Sequence, residues 1–466
     1  MTREEKVRAK LETLATTTLW AGAIFCILVW LYFIYEYGWA KNRQLTSLIG
    51  LGMYYVLPAV MATLLFAFSR LRPVYKVNAA MACISLAVPI YGAEILLPTE
   101  LAYTLGIESD NRTLLEAVNG FRQNGADAVP TIAPRDLLKP HDDGTLRSVI
   151  NNSGTEVLPL GGISNKLTIF CNETGKYITY DSDEHGFHNP TGIWNSDRLE
   201  IATVGDSFAH GWCVPSETHF VALLRKYHPI TLNLGMGGSG PLLELAALKE
   251  FLPPLRPKIV LWFYYETNDL TDLRDEQKSA LLMRYLRSNF TQGLSRRQRE
   301  IDQALLDFVE QRRKSLDEQK LTRKAQTLAD NLWSVIALSN LRLKLGAIYG
   351  RTTYKLQTAE KADFDLFRDV LLEAKVTVNQ WSGLLYFVFL PAWERYANPQ
   401  PAHNDRAPVL DLVSRLQIPI IDLHPAFQAQ RDPLSLFPSR RFGHYNETGY
   451  ELVAREVLKA ISSNYY

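Results

Sequence analysis

The first hundred residues alternate long apolar stretches with short polar ones. Three apolar stretches cover Thr17–Tyr35, Leu45–Phe68 and Val77–Leu97. Each is close to the roughly 20 residues that a helix needs to cross a bilayer. The pattern predicts a tail over residues 1–16 and a three-helix membrane anchor over residues 17–97. A signal peptide is the alternative for the first stretch, and a re-entrant segment is the alternative for the third, which contains Pro89 and Glu94.

Basic residues indicate how this anchor is oriented. Lys and Arg are frequent before the first stretch and between the second and third, whereas the first loop has only Lys41 and Arg43. Because basic loops stay in the cytoplasm, we expect a cytoplasmic tail at the N-terminus. Three spans then place the chain after about residue 98 on the periplasmic side of the cytoplasmic (inner) membrane. If the third stretch does not span, that part would be cytoplasmic.

In the rest of the chain the apolar stretches are shorter than in the first hundred residues. Residues 98–197 are polar and predict a linker and a small β-containing domain, with a hairpin at 166–190 whose turn reads Asn-Glu-Thr-Gly. From residue 198 onward, strand-like runs alternate with helical stretches. The strand-like runs are 199–204, 230–234, 258–265, 384–390 and 418–422. This alternation is typical of an α/β fold with a parallel sheet between two helical layers.

A helical insertion interrupts this alternation at about 271–380 and is locally rich in arginine. Three interpretations of the basic residues remain open. They form a solvated helix face, they contact anionic headgroups of the inner membrane lipid, or they dock an acidic polysaccharide or a partner protein.

Residues 201–211 read IATVGDSFAHG. Ser207 therefore follows a β-branched strand and lies on a glycine-bearing turn into a helix. An α/β enzyme places its nucleophile at such a turn, at the carboxyl edge of the sheet. The alternative is a serine or aspartate that merely caps the helix.

Three more blocks follow in order: TLNLGMGGSGP at 231–241, IVLWFYYETNDL at 259–270 and FGHYNETGY at 442–450. With them, the chain resembles the SGNH (GDSL-like) hydrolase superfamily over about residues 198–466. The family's serine, glycine, asparagine and histidine fall on Ser207, Gly238, Asn268 and His444. The resemblance implies a flavodoxin-like three-layer sandwich and acyl transfer through a seryl ester.

The resemblance gives each of these residues a role. His444 would accept the Ser207 proton and return it to the leaving group. The backbone N–H groups of Ser207 and Gly238 and the amide of Asn268 would form the oxyanion hole. The alternatives are a glycine-rich turn at Gly238, an Asx-turn at Asn268 and a structural histidine at His444.

Two positions depart from the family pattern. The family has an aspartate three residues before its histidine, where this chain has Arg441. We therefore expect a Ser–His dyad in which a backbone carbonyl orients the imidazole, and the alternative is a triad whose acid comes from elsewhere in the chain. The candidate orienting acids are Asp206, Asp422 and Asp432. The second departure is Glu266, which stands two residues before Asn268 where the family has glycine, and which would bind a substrate hydroxyl or cap the strand.

Composition excludes several classes of function. The formal net charge is +1 and gives no reason to expect a nucleic-acid partner. Neither a zinc-ligand spacing nor a phosphate-binding GK[ST] loop occurs, so we expect no metal and no cofactor. Only Cys171 and Cys213 lie in the predicted extracytoplasmic part. They would form a disulfide in an oxidising compartment or remain as thiols.

These observations predict a membrane-anchored serine esterase or O-acyltransferase. The resemblance makes acyl esters, such as acetyl groups on cell-envelope carbohydrate, the expected substrates. The rival hypothesis is a catalytically weak carbohydrate-binding or scaffold protein of the envelope-polysaccharide machinery, since a fold alone does not fix a function.

Overall fold

The structure is a computed structural model. It describes residues 2–35, 52–96, 110, 112–152, 154–173, 175–196, 199–287, 289–336, 338, 360–397, 405–440 and 443–463. The chain divides into two compact units. The first unit combines residues 1–108 with 319–352, and the second combines residues 109–318 with 353–466.

The first unit contains the apolar N-terminal helices. They are α1 Arg3–Ile34, α2 Leu57–Phe68, which follows a π-helical turn at Gly52–Val56, and α3 Pro73–Leu96. Small and apolar side chains fill the contact between them, among them Ala15, Ala23 and Ala80. The rings of Trp20 and Phe66 meet edge to face at 5.0 Å.

Two of these helices have the length and composition of a membrane span. They are Arg3–Ile34 and Pro73–Ile95, whereas Tyr54–Phe68 is apolar but shorter. We expected three spans, but only two helices of that length occur in the part of the chain that the structure describes. The second predicted stretch begins at Leu45, and its portion before residue 52 lies outside the described residues. The predicted tail is itself helical and forms the start of α1. Thr2 caps this helix, because its side chain accepts the backbone N–H of Glu5.

The second unit contains all the strands of the described structure. They are β1 Ala128–Pro130, β2 Leu138–Pro140, β3 Leu146–Ser148, β4 Asn151–Asn152, β5 Thr155–Glu156, β6 Leu167–Cys171, β7 Ile178–Asp181, β8 Ile201–Val204, β9 Thr231–Asn233, β10 Ile259–Tyr265, β11 Leu384–Leu390 and β12 Ile420–Asp422. Its α-helices are α4 Leu114–Gln123, α5 Ser207–His210, α6 Phe220–Arg225, α7 Pro241–Leu255, α8 Asp269–Glu276, α9 Ala280–Met283, α10 Gln298–Ile336 (which continues into the first unit), α11 Lys361–Asn379, α12 Glu394–Ala397, α13 Arg406–Arg415, α14 His424–Gln428 and α15 Glu447–Ser463.

Five parallel strands form the central sheet in the order β12-β11-β10-β8-β9. Numbered along the chain, this is the flavodoxin-like order 2-1-3-4-5, as the resemblance implied. The register pairs Ile259 of β10 with Ile201 of β8 on one side and with Leu384 of β11 on the other. The strand order reverses between β8 and β10, and ligands of such folds bind outside the carboxyl ends of the strands at this point.

Alternate residues of the central strands enter two different cores. Val260, Trp262 and Tyr264 pack in one core with α7, α11 and α13. Ile259, Leu261 and Phe263 pack in the other with α6 and α15. Side chains thus alternate between the two faces of these strands, and both faces are covered by helices. The result is the three-layer sandwich that the sequence predicted.

Two predicted boundaries differ from the structure. Apolar residues of 129–163 share the first core with the central sheet, so this segment folds together with the residues after 198. The insertion was expected to continue to about residue 380. However, α11 belongs to the sandwich, because Phe367, Val370 and Ala374 are buried in the same core. Its apolar period places it against the sheet as the crossover helix before β11.

Candidate active site

Ser207 is positioned by the turn that follows β8. It is the first residue of α5, and Asp206 caps this helix by accepting the Phe208 N–H at 2.9 Å. The glycine-rich loop after β9 lies directly against α5. A Cβ added to Gly235 would stand 2.5 Å from the carbonyl carbon of Ala209. Glycine is therefore required for the loop to approach the serine-bearing helix this closely.

His444 lies next to Ser207 although 237 residues separate them in the sequence. Its Nε2 is 2.7 Å from Ser207 Oγ, which is hydrogen-bonding distance. The imidazole packs between aromatic rings, with Phe208 at 4.7 Å and Trp212 at 5.6 Å between ring centroids. The serine and histidine named from the sequence therefore form one hydrogen-bonded pair.

The other nitrogen of His444 contacts an acid that the sequence did not point to. His444 Nδ1 is 2.6 Å from Glu173 Oε1, and the His444 backbone N–H donates to Glu173 Oε2 at 3.4 Å. Burial favours the neutral acid, but hydrogen bonds and attraction from His444 outweigh it and hold the pKa of Glu173 below its ordinary value. The histidine is thus oriented by a carboxylate, and the expected dyad with a backbone carbonyl is wrong.

The three acids proposed from the sequence have other partners. Asp206 caps α5 and accepts a hydrogen bond from Asn268 Nδ2 at 3.2 Å. Asp422 pairs with Arg406, and Asp432 pairs with Arg440. None of them has a hydrogen bond to His444 in the described structure. Their nearness in sequence to Ser207 or His444 was the reason for choosing them, and in the fold their carboxylates point elsewhere.

The oxyanion-hole candidates follow the neighbouring strands. Asn268 follows β10 and precedes α8, and its amide nitrogen is oriented by Asp206. An amide nitrogen carries two hydrogens, so one remains for a substrate oxygen. Gly238 follows β9 with a φ of 73°, a conformation that glycine adopts without strain. The preceding N–H, of Gly237, donates to His210 Nδ1 at 3.1 Å.

Glu266, the other departure from the family pattern, forms an ion pair with Arg395 and accepts the Ala392 N–H at 3.2 Å. Its side chain is 2% exposed. Glu266 therefore fixes the loop after β11, and both of its oxygens are engaged there instead of being available to a substrate hydroxyl.

Further acids are buried on α8, the helix that follows Asn268. Glu276 accepts the N–H groups of Gly240 and Leu242 at 2.6 and 2.8 Å and thereby caps α7. Burial and the nearby charge of Asp272 raise the pKa of Glu276 to about 8. Burial also raises the pKa of Asp272, to about 6, although Arg135 opposes this shift. These acids support the loops that carry the site and do not contact Ser207 in the described structure.

The structure joins Cys171 and Cys213 in a disulfide, the pairing considered from the sequence. Beside this bond lies a cavity of about 430 Å³ with a largely apolar lining. Its walls include Ile132, Phe170, Trp212, Gly237, Val309 and Arg312. Trp212 also packs on His444, so the cavity and the Ser207–His444 pair share this side chain.

Among the described residues, no group of three or more His, Cys, Asp or Glu side chains could hold a metal ion.

No protein-family model and no curated protein matches this chain. Solved structures do match. One is a putative lipolytic protein of the G-D-S-L family from Desulfitobacterium hafniense, with 12% identity over 56% of this chain and 98% of that one, at a TM-score of 0.30. A lipase/acylhydrolase from Enterococcus faecalis matches with 13% identity over 57% and 96%, at 0.30. An acetyl xylan esterase matches with 12% identity over 56% and 100%, at 0.31.

Similarity at this level of identity and TM-score says nothing about the substrate. The resemblance to the SGNH (GDSL-like) hydrolases stands on the motif residues themselves. Ser207, Gly238 and Asn268 follow adjacent parallel strands of a flavodoxin-like sheet, and His444 is hydrogen-bonded to the serine.

Proposed function

We propose that the chain is a membrane-anchored serine esterase or O-acyltransferase that works through a seryl ester. The observation that carries this proposal is the continuous contact from Ser207 Oγ through His444 to Glu173, with distances of 2.7 and 2.6 Å. An unassisted serine hydroxyl is a poor nucleophile at neutral pH, and this arrangement supplies the base it needs. Ser207, His444 and Glu173 form a catalytic triad in this proposal.

The first half-reaction forms the acyl-enzyme. Ser207 Oγ attacks the acyl carbonyl while His444 Nε2 accepts its proton. The imidazolium that forms is stabilised by the Glu173 carboxylate, which keeps the Nδ1 proton on the opposite side of the ring. Because the pKa of Glu173 lies below its ordinary value, this carboxylate is charged at neutral and mildly acidic pH.

The oxyanion needs donors that are already in place. The N–H groups of Ser207 and Gly238 and the free hydrogen on Asn268 Nδ2 provide them in this proposal. His444 then returns its proton to the leaving alcohol. Water completes an esterase cycle by attacking the seryl ester, and a sugar hydroxyl completes an acyltransferase cycle.

The expected substrates are acyl esters, acetyl groups among them, on carbohydrate of the cell envelope. This choice follows the resemblance to the SGNH hydrolases and the apolar helices, which would hold the enzyme near the envelope. The cavity beside Trp212 is the proposed place for the substrate. Its apolar walls suit a sugar face or an acyl chain, and Arg312 supplies a polar group at the lining.

The proposed location is the inner membrane, with the second unit outside the cytoplasm. This location requires an odd number of crossings, so the shorter apolar helix Tyr54–Phe68 would have to cross the membrane as well as Arg3–Ile34 and Pro73–Ile95. The Cys171–Cys213 disulfide supports it, because such bonds persist in oxidising compartments and are rare in the cytoplasm. A reporter active only in the periplasm, fused after residue 98, should give signal. A silent periplasmic reporter would contradict this location.

The scaffold hypothesis depended mainly on the missing aspartate before His444. Glu173 provides an orienting carboxylate from another part of the chain, so this argument no longer favours a catalytically weak protein.

The function is tested with the full chain in detergent, a fluorophosphonate probe and a short-chain acyl ester. We expect labelling and turnover in the wild type, and loss of both in Ser207→Ala. Ser216→Ala is the matched control, since Ser216 contacts a different histidine, His188, at 2.9 Å. A wild type that is neither labelled nor active would overturn the proposal.

A further inference from the structure

Glu173 is attached to the fold by a short piece of chain beyond the end of a strand. β6 ends at Cys171, whose ladder partner is Ile178 of β7. Glu173 follows two residues later, in the turn of this hairpin. Between them, Asn172 Nδ2 donates to the backbone oxygen of Asp110 at 2.6 Å. The sheet therefore fixes the chain up to Cys171, and the position of the carboxylate depends on contacts past that point.

The disulfide provides such a contact and links the turn to the serine side of the site. Cys213, which is bonded to Cys171, lies six residues after Ser207, and the two Cα atoms are 5.5 Å apart. The Glu173 backbone N–H also donates to Cys213 Sγ at 3.3 Å. Cys213 has a φ of 59°, in the left-handed region that a residue with a Cβ rarely adopts. Surrounding contacts therefore hold this residue in place.

Trp212 extends the link from the disulfide to the histidine. Its indole packs on Phe170 at 4.7 Å and on His444 at 5.6 Å between ring centroids. The Trp212 side chain also helps to hold the pKa of Glu173 below its ordinary value. Phe170, next to Cys171, thus contacts Trp212, and Trp212, next to Cys213, contacts His444.

We infer that the Cys171–Cys213 disulfide is a positioning element of the catalytic site: it holds Glu173 against His444, so that the chain is fully active only while this bond is oxidised. The inference rests on the proposed function. Reduction by a dithiol breaks the S–S bond and delivers two electrons. Cys171 and Cys213 become two thiols, each taking up one proton, while the dithiol closes to its own disulfide. Glu173 is then free to leave His444, and the serine keeps a base without an orienting anion.

The experiment uses the full chain in detergent with Cys26→Ser and Cys83→Ser already in place, since these are free cysteines. Three variants are added to this background: Cys171→Ser with Cys213→Ser, Glu173→Gln, and the combination of all three. Turnover of a short-chain acyl ester gives kcat and KM for each. Circular dichroism sets an assay temperature at which the reduced chain remains folded.

We expect loss of the disulfide to lower kcat about tenfold or more, with KM changed less than about twofold, because a positioning group acts on the transition state. In the Glu173→Gln background, loss of the disulfide should lower kcat no further, because the two changes disable the same contact. Dithiol reduction of the parent chain should reproduce the loss, and reoxidation of the same sample should restore activity.

Two results would overturn the inference. One is a kcat that survives reduction. The other is a combined variant whose loss is the product of the separate losses, which indicates that the disulfide acts on something other than Glu173. If the cysteine variant does not fold, reversible reduction of the parent chain decides, and a loss that reoxidation does not restore counts against the inference. Failure of the proposed function looks different, because the oxidised parent would then show neither labelling nor turnover.

Discussion

Replacement of Glu173 by glutamine tests the contact on which the proposed chemistry depends. Glutamine keeps the size of the side chain and an oxygen that can accept the Nδ1 hydrogen of His444, but it removes the negative charge. The wild-type carboxylate is 2.6 Å from that nitrogen, and the two side chains are 29% and 20% exposed. The transition state, in which the imidazole is positive, should therefore lose more stabilisation than the ground state.

The size of the effect follows from Coulomb's law. With charge centres about 4 Å apart, the attraction is about 1 kcal/mol at the dielectric constant of water and about 4 kcal/mol at the value of about 20 that suits pairs near a protein surface. These limits correspond to about 5-fold and about 10³-fold in rate. Since both side chains are mostly shielded from solvent, we expect kcat to fall about 10²-fold, with KM nearly unchanged.

The assay is steady-state hydrolysis of a short-chain acyl ester across pH 5 to 8. Asp432→Asn is the matched control, because it removes a charge that pairs with Arg440 instead of His444, and it should leave kcat unchanged. Glu173→Ala should be at least as impaired as Glu173→Gln, since it also removes the hydrogen bond. A Glu173→Gln enzyme with wild-type kcat would refute the role given to this carboxylate.

Three further outcomes are expected. Asn268→Ala should lower kcat about 10²- to 10³-fold with little change in KM, as loss of one oxyanion donor does; an unchanged kcat would remove Asn268 from the hole. Gly235→Ala should lower both the free energy of unfolding, by about 1–3 kcal/mol, and kcat, because its Cβ would meet the backbone of Ala209; full stability in denaturant melts would contradict this packing. Because burial raises the pKa of Glu276 from 4.5 to about 8, its folded form keeps a proton that the unfolded chain loses. Stability should therefore fall as pH rises between those values, by up to about 1.4 kcal/mol per pH unit, and the slope should be shallower in Glu276→Gln; equal slopes in the two proteins would refute this.

Much of the fold was predictable because its signals are local. The five strands of the central sheet lie within a few residues of their predicted positions. Parallel strands that are buried on both faces consist of short apolar runs, which are recognisable in the sequence. The hydrogen bond between Ser207 and His444 agrees with an expectation that came from a family pattern, in which both residues stand beside recognisable elements.

Glu173 was missed because its signal is not local. It lies in an Asn-Glu-Thr-Gly turn, where an acid is ordinarily solvated, and it is 271 residues from the histidine it contacts. One indication was present, since the proposed Cys171–Cys213 bond implies that residue 173 lies close to the chain that follows Ser207. Among the described residues only two helices have the length of a membrane span, because the described part of the second predicted stretch forms a shorter apolar helix, Tyr54–Phe68, and apolar composition does not determine how long a helix becomes.

The packing of residues 129–163 into the core of the sandwich affects any attempt to divide the protein. A fragment that begins at residue 198, where the family motifs start, would contain Ser207, Gly238, Asn268 and His444. It would lack Glu173 and would expose apolar surface that those earlier residues cover. A piece that keeps the whole site and its core therefore starts near residue 109, where the second unit begins, and a fragment cut at the first catalytic strand would have the serine and histidine without the carboxylate that orients the histidine.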